Sequence, residues 1–278
     1  MFSDLLYPLV YYIIRYRRKV VRKNLTRSFP EKDRREILRI ERRFYRFFCD
    51  YFVENVKALT IKKEHLMKRM ICEFDEGVQK VFRDGQMQFI YLGHFCNWEL
   101  IASLQWWVPE DVHCAQLYSR LHNDAMDRIF YKIRSRYGGE NINKKDALRR
   151  IVTLKRSGRK MLIGFISDQS PKRENIHLWV DFLNQDTPVF TGTERIAKKV
   201  DAAICYAHVR RVKRGYYHLT LKLMTENANE YAEHELTRLY MKMLEADIRQ
   251  DPARWLWTHN RWKRQRTGEP QTSENNQK

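Results

Sequence analysis

A histidine with a carboxylate five residues on is a minimal acid–base pair, and His94 and Glu99 form one within GHFCNWE. A neutral imidazole takes a proton from an alcohol, and a carboxylate can hold the ring in one tautomer. The spacing alone carries little: nine histidines and 34 acids in 278 residues give roughly one such match by chance. A second match is indeed present, His122 with Asp127. Context separates the two. Residues 87–92 are an apolar run after the turn signal Asp84-Gly85, so His94 stands just past the end of a strand, where α/β proteins place their chemistry. His122 follows no strand; it opens a helical pattern over 124–137 in which Asp124 is the expected N-cap. His94 and Glu99 are the candidate pair.

The elements that must hold this pair alternate along the chain. Ser28-Phe-Pro-Glu31 has the form of a capping box. Ile37, Ile40, Phe44, Phe47, Phe48, Tyr51, Val56 and Leu59 then recur at helical steps, with arginines on the other face. A weaker helical pattern covers 62–81, and an apolar helix-prone stretch follows Glu99 to about Trp107. Residues 112–117 read as a strand ending near Arg120, and 145–156 as an amphipathic helix. The run MLIGFIS, 161–167, has the continuous apolar character of a central strand and ends at Asp168-Gln169. A short strand at 178–183, a helix at 194–199, paired strands at 202–209 and 216–224, and a long helix over 228–249 complete the order. The expected fold is α/β, a mostly parallel sheet flanked by helices. His94, Arg120 and Asp168 all follow strands, so a parallel sheet would bring them to one edge.

Composition narrows the partners. The chain carries a net charge of +19 and an aromatic fraction of 13%. That surplus implies an anionic partner, nucleic acid or a phosphate-rich membrane surface. The five cysteines show no C-x-x-C spacing, so neither a zinc site nor a disulfide framework is expected, and a reducing compartment fits. Residues 2–14, FSDLLYPLVYYII, are apolar but too short to span a bilayer and are interrupted by Pro8. They meet a basic block, Arg15, Arg17, Arg18, Lys19, Arg22 and Lys23. Residues 1–25 therefore read as a membrane-associated segment, interfacial or the last part of a longer anchor, its basic block toward cytoplasmic headgroups. Residues 266–278 are polar and read as a disordered tail.

An ordered set of motifs adds a resemblance. RKNLTRSFPE (22–31), GHFCNWE (93–99), Tyr118-Ser-Arg120, Asp168-Gln169, Thr191-Gly192 and WLWTHNRWK (255–263) together resemble the lipid A biosynthesis acyltransferases, of the lysophospholipid acyltransferase group. The resemblance runs from about Val21 to Lys263, so residues 26–265 are expected to be one acyltransferase domain. It implies transfer of a fatty acyl chain from an acyl carrier protein thioester to a hydroxyl of a lipid A precursor at the cytoplasmic face of the inner membrane. It implies no cofactor beyond the acyl thioester and no metal. His94 matches the general base and Glu99 the residue that orients and charges it. Arg120, Arg134, Arg136, Asp168, Gln169 and Thr191 match substrate-binding positions. Two departures stand out. The family has a longer apolar anchor, and its usual apolar-Phe-Phe-Gly is replaced here by Asp181-Phe-Leu-Asn184.

Two other readings compete. An acyltransferase for another lipid, a phospholipid or an aminolipid, fits the same motifs. A basic nucleic-acid-binding protein would also interleave basic and aromatic residues, but no nucleic-acid motif occurs and the basic residues are spread along the whole chain. Cys96 is expected to be a small buried hydrophobe rather than an acyl-carrying nucleophile, and His259 a packed, hydrogen-bonded residue.

Overall fold

The computed structural model describes residues 2–120 and 123–266. His122 and the polar tail beyond Arg266 lie outside the described residues, and with them one member of the second histidine–acid pair.

The chain opens with α1 (Phe2–Pro8), a π-helical turn (Leu9–Ile13) and α2 (Arg18–Ser28). α3 (Arg34–Ala58) is the long aromatic helix that the periodicity indicates, and its inward stripe of Ile37, Phe44, Phe47 and Tyr51 is buried. Its capping box is formed by Asp33 and Glu36, not by Ser28 and Glu31. Ser28 is the last residue of the preceding helix, and its hydroxyl accepts from Gln185 (3.1 Å). The weak helical pattern of 62–81 is in fact three elements: α4 (Lys63–Met67), β1 (Met70–Phe74) and α5 (Glu76–Asp84). Met70 and Cys72 are buried while Ile71 and Glu73 are exposed, an alternation that belongs to a strand.

β2 (Gln88–Leu92), β3 (Val112–Tyr118), β4 (Glu140–Asn143), β5 (Lys160–Ile166), β8 (Ala203–Lys213) and β9 (Tyr216–Thr225) join β1 in one seven-stranded sheet of order β1-β9-β8-β2-β5-β3-β4. The five strands from β8 to β4 run parallel, while β9 reverses against β8 and β1 runs alongside β9. β2 is buried at every position, as a strand with neighbours on both sides and helices on both faces must be. The crossovers use a 3₁₀ segment (Trp98–Trp106), α6 (Asp124–Ser135), α7 (Ala147–Arg156) and α8 (Gly192–Val200). Asn123, not Asp124, caps α6, accepting from Ala125 and Met126. α9 (Glu235–Gln250) starts later than the periodicity suggests, because residues 228–230 form a separate 3₁₀ turn.

β6 (Trp179–Asp181) and β7 (Asp186–Pro188) form a small hairpin apart from the main sheet. Its turn holds Leu183 and Asn184 at φ 54° and 59°. Two consecutive left-handed residues are the signature of a tight two-residue hairpin turn. Asn tolerates that region, which accounts for Asn184 standing where the resembling family has glycine. Leu183 does not tolerate it readily, and its fully buried side chain offsets the strain.

The amino-terminal segment packs on α3. Tyr11 is buried and donates to Glu41 (2.9 Å), and Arg22 grips the same carboxylate with two bonds. Arg214, in the turn between β8 and β9, bridges Asp4 and Asp50. Much of the expected basic block is used internally: Arg15 donates to the Tyr12 carbonyl, Arg17 to the Thr258 carbonyl, and Arg18 lies over the Tyr11 ring, beside the bound Arg22. Among the described residues no helix is long and apolar enough to cross a membrane.

Candidate active site

β2 and β5 are parallel neighbours, with Leu92 opposite Ile166. The pairing extends one residue further through Ser167 N–H to the Leu92 carbonyl (3.3 Å). The next residues on the two strand ends, His94 and Asp168, therefore come out side by side. His94 Nδ1 meets Asp168 Oδ1 at 2.6 Å, and the His94 backbone N–H donates to Oδ2 at 2.8 Å. Gly93 between them is required by space. A Cβ there would sit 2.7 Å from Leu244 of α9 and 3.4 Å from Asp168 Oδ2.

Asp168 is 1% exposed. Burial pushes its carboxyl up, but the charge of His94, the ring and backbone donors and the Trp255 indole N–H (2.8 Å) outweigh that and hold it at about 2. It is an ionised acceptor across the physiological range. Asp168 can only accept, so His94 carries a proton on Nδ1, and its Nε2 is turned toward the Gln169 side chain. The ring's side chain is 17% exposed, so a substrate group can reach it. The carboxy-terminal aromatic segment encloses this loop: Phe95 bridges to Trp255, Cys96 N–H donates to the Arg254 carbonyl, and Leu256 N–H to the His94 carbonyl.

The expected partnership of His94 with Glu99 is thus corrected. Residues 98–106 turn as a 3₁₀ helix, and Glu99 in its first turn is hydrogen-bonded to Trp98 and Arg134 rather than to the His94 ring. Glu99 accepts two bonds from Arg134 of α6 (2.7 and 2.8 Å) and one from Trp98 Nε1 (3.1 Å). The ion pair is nearly enclosed, with side chains 4% and 18% exposed. Trp98 touches both groups, donating to Glu99 and packing on the His94 ring. Its ring stacks on Tyr51 at 4.4 Å and meets His94 edge-on at 5.0 Å.

Trp98 also lines a pocket whose other walls are mostly apolar side chains. Leu92, Ala102, Ala115, Leu162 and Gly164 line it, and the Glu99–Arg134 pair forms its polar wall. Small residues on β3 and β5 leave the space that bulkier ones would fill.

The other expected residues divide. Gln169 is at the site, its side-chain nitrogen 3.1 Å from His94 Nε2. Asp168 is there too, on the ring rather than in a headgroup position. Thr191 is buried at the start of α8, whose next turn meets the site strand through Thr193 and Ser167 (3.0 Å). Arg136 is not in the hydrogen-bond network of His94; it binds the carbonyls of Ala58 and Ile61 and so ties α6 to the end of α3. Arg120 is exposed and pairs with Asp124 (2.9 Å). Trp98 and Trp255, which shape and polarise the site, carried no signal beyond their place in motifs. Cys96 is buried, its thiol pushed up by burial, with its sulfur toward the Val209 carbonyl, as a small hydrophobe would be.

A sequence model of a family described as bacterial lipid A biosynthesis acyltransferase matches residues 5–264, nearly the whole chain. Comparison with curated proteins gives no match.

Proposed function

The chain belongs to the bacterial lipid A biosynthesis acyltransferase family, and from that membership we propose that it moves a fatty acyl chain from an acyl carrier protein thioester to a hydroxyl of a lipid A precursor, with His94 as general base and Asp168 as the carboxylate that orients it. The observation that carries the reading is the His94–Asp168 pair, whose imidazole packs on Trp98, a wall of the apolar pocket. The acceptor hydroxyl gives its proton to His94 Nε2 as its oxygen attacks the thioester carbonyl. A C–O bond forms, the C–S bond breaks, and the proton passes from His94 to the leaving sulfur. Asp168, ionised and bonded to Nδ1–H, stabilises the imidazolium formed between the two steps. No covalent acyl-enzyme is needed. The pocket that Trp98 lines takes the acyl chain, and the Glu99–Arg134 pair keeps its polar wall fixed.

The surroundings supply the partners. The +19 charge suits an acidic carrier protein and an anionic bilayer. Leu5, Leu9, Ile13 and Ile14 are exposed on the amino-terminal segment, with Arg15, Lys19 and Lys23 exposed beside them. That combination fits contact with the cytoplasmic face of the inner membrane. Mass spectrometry of lipids from a deletion strain tests the acceptor. Loss of one acyl chain from lipid A is expected. An unchanged lipid A with an altered phospholipid or aminolipid would transfer the activity to that lipid.

A further inference from the structure

Both nitrogens of the His94 ring have a side-chain partner. Nδ1 donates to Asp168, which is ionised and can only accept. The group facing Nε2 is the side-chain nitrogen of Gln169 at 3.1 Å, and a donor there makes Nε2 the accepting lone pair. An amide nitrogen is a donor only, so Gln169 gives an N–H to the lone pair that must receive the substrate proton. One lone pair takes one donor. The acceptor hydroxyl and the Gln169 amide therefore compete for the same position.

The backbone around Gln169 is fixed on both sides. Ser167 Oγ shares a hydrogen bond with Thr193 Oγ1 (3.0 Å), and the Ser170 N–H donates to His259 Nε2 (3.3 Å). Burial pushes His259 down to about 4, so it stays a neutral acceptor at neutral pH. A side chain that must leave Nε2 can thus do so by rotating about its own bonds, with the loop held in place.

We propose that Gln169 is a cap on the base: its amide occupies His94 Nε2 while no acceptor is bound and yields that position to the acceptor hydroxyl. The proposal rests on His94 being the base. Its consequence is protection of the acyl donor. Uncapped, Nε2 would activate water as readily as an alcohol. Water would attack the thioester carbonyl, the C–S bond would break, its proton would pass through His94 to the sulfur, and a free fatty acid would be lost. The cap makes proton abstraction depend on a hydroxyl held well enough to displace an amide.

The test uses the purified full chain with an acyl carrier protein thioester, measuring free fatty acid without acceptor and acylated lipid with it. Gln169→Ala, and Gln169→Asn, whose shorter side chain withdraws the amide, should raise acceptor-free hydrolysis roughly three- to tenfold, the worth of one hydrogen bond. The KM for the acceptor should fall, since nothing remains to be displaced. Spectra of ¹⁵N-histidine-labelled protein should show the Nδ1–H tautomer in both forms, with the Nε2 signal moving when the amide is removed. An unchanged ratio of hydrolysis to transfer in both variants overturns the cap, and so does an equal loss of both reactions in folded protein. His94→Ala separates this from the parent reading. If that variant keeps both reactions, the base assignment fails, whatever Gln169 does.

Discussion

The site turns on which carboxylate touches which cation. Asp168 is hydrogen-bonded to His94, while Glu99, five residues along the same chain, is committed to Arg134. Their variants should differ in kind. His94→Ala should abolish transfer in a folded protein. Asp168→Asn keeps the shape but loses the charge that stabilises the imidazolium, and should lower kcat about a hundred- to ten-thousand-fold with the fold retained. Glu99→Gln leaves a nearly buried guanidinium without its counter-charge, and should cost about 3 kcal/mol of stability. Its rate loss should be smaller than that of Asp168→Asn. Denaturant unfolding beside initial rates separates these cases. A Glu99 variant as slow as the Asp168 variant, with wild-type stability, would return Glu99 to the base.

At the scale of elements, the pocket is set by what β3 and β5 leave out. Gly164 lies mid-strand opposite Ile90, and a Cβ there would only touch Leu92 at 3.4 Å and the Ala115 carbonyl oxygen at 3.8 Å. The strand therefore accepts a β-branched residue, and the added atoms enter the pocket. Gly164→Val should shift the preferred acyl donor to shorter chains while leaving the sheet intact. Competition between carrier thioesters of graded length measures this. The same preference in wild type and variant would remove the pocket from acyl binding. α6 belongs to this scale too. It is tied to α3 through Arg136, and it presents Arg134 to Glu99. The pocket wall and the aromatic helix are thereby one assembly.

Across the whole molecule, the amino-terminal segment and the sheet are joined by charge. The Asp4–Arg214–Asp50 bridge ties α1 to α3, and Leu5, Ile13 and Ile14 of the same segment stay exposed. Flotation with anionic liposomes should show binding at low salt, part of which survives at high salt. Charge alone would be screened away, whereas inserted apolar side chains would not. Replacing Leu5, Ile13 and Ile14 with serine should remove the salt-resistant part. Absence of binding at low salt would end the membrane reading.

Sequence alone determined the elements with strong period and the edge on which they converge. The aromatic stripe from Ile37 to Tyr51, the run 161–167 and the strand before His94 each bury a face or both faces, and burial writes itself as periodicity, though Val56, expected in that stripe, is exposed. Strand ends in a parallel sheet share an edge, which is why His94, Arg120 and Asp168 are expected together; His94 and Asp168 do meet, whereas Arg120 turns to Asp124 on the surface. β1 and β4 were not legible, because five- and four-residue strands carry too few alternations to outweigh helical neighbours. The pairing of His94 was not legible either. Spacing along the chain favours Glu99, but the distance that matters is set across the sheet by the register of Leu92 with Ile166 and by the 3₁₀ turn at Trp98. Hydrogen bonding between side chains 74 positions apart is a property of packing, and only the tertiary structure decides it.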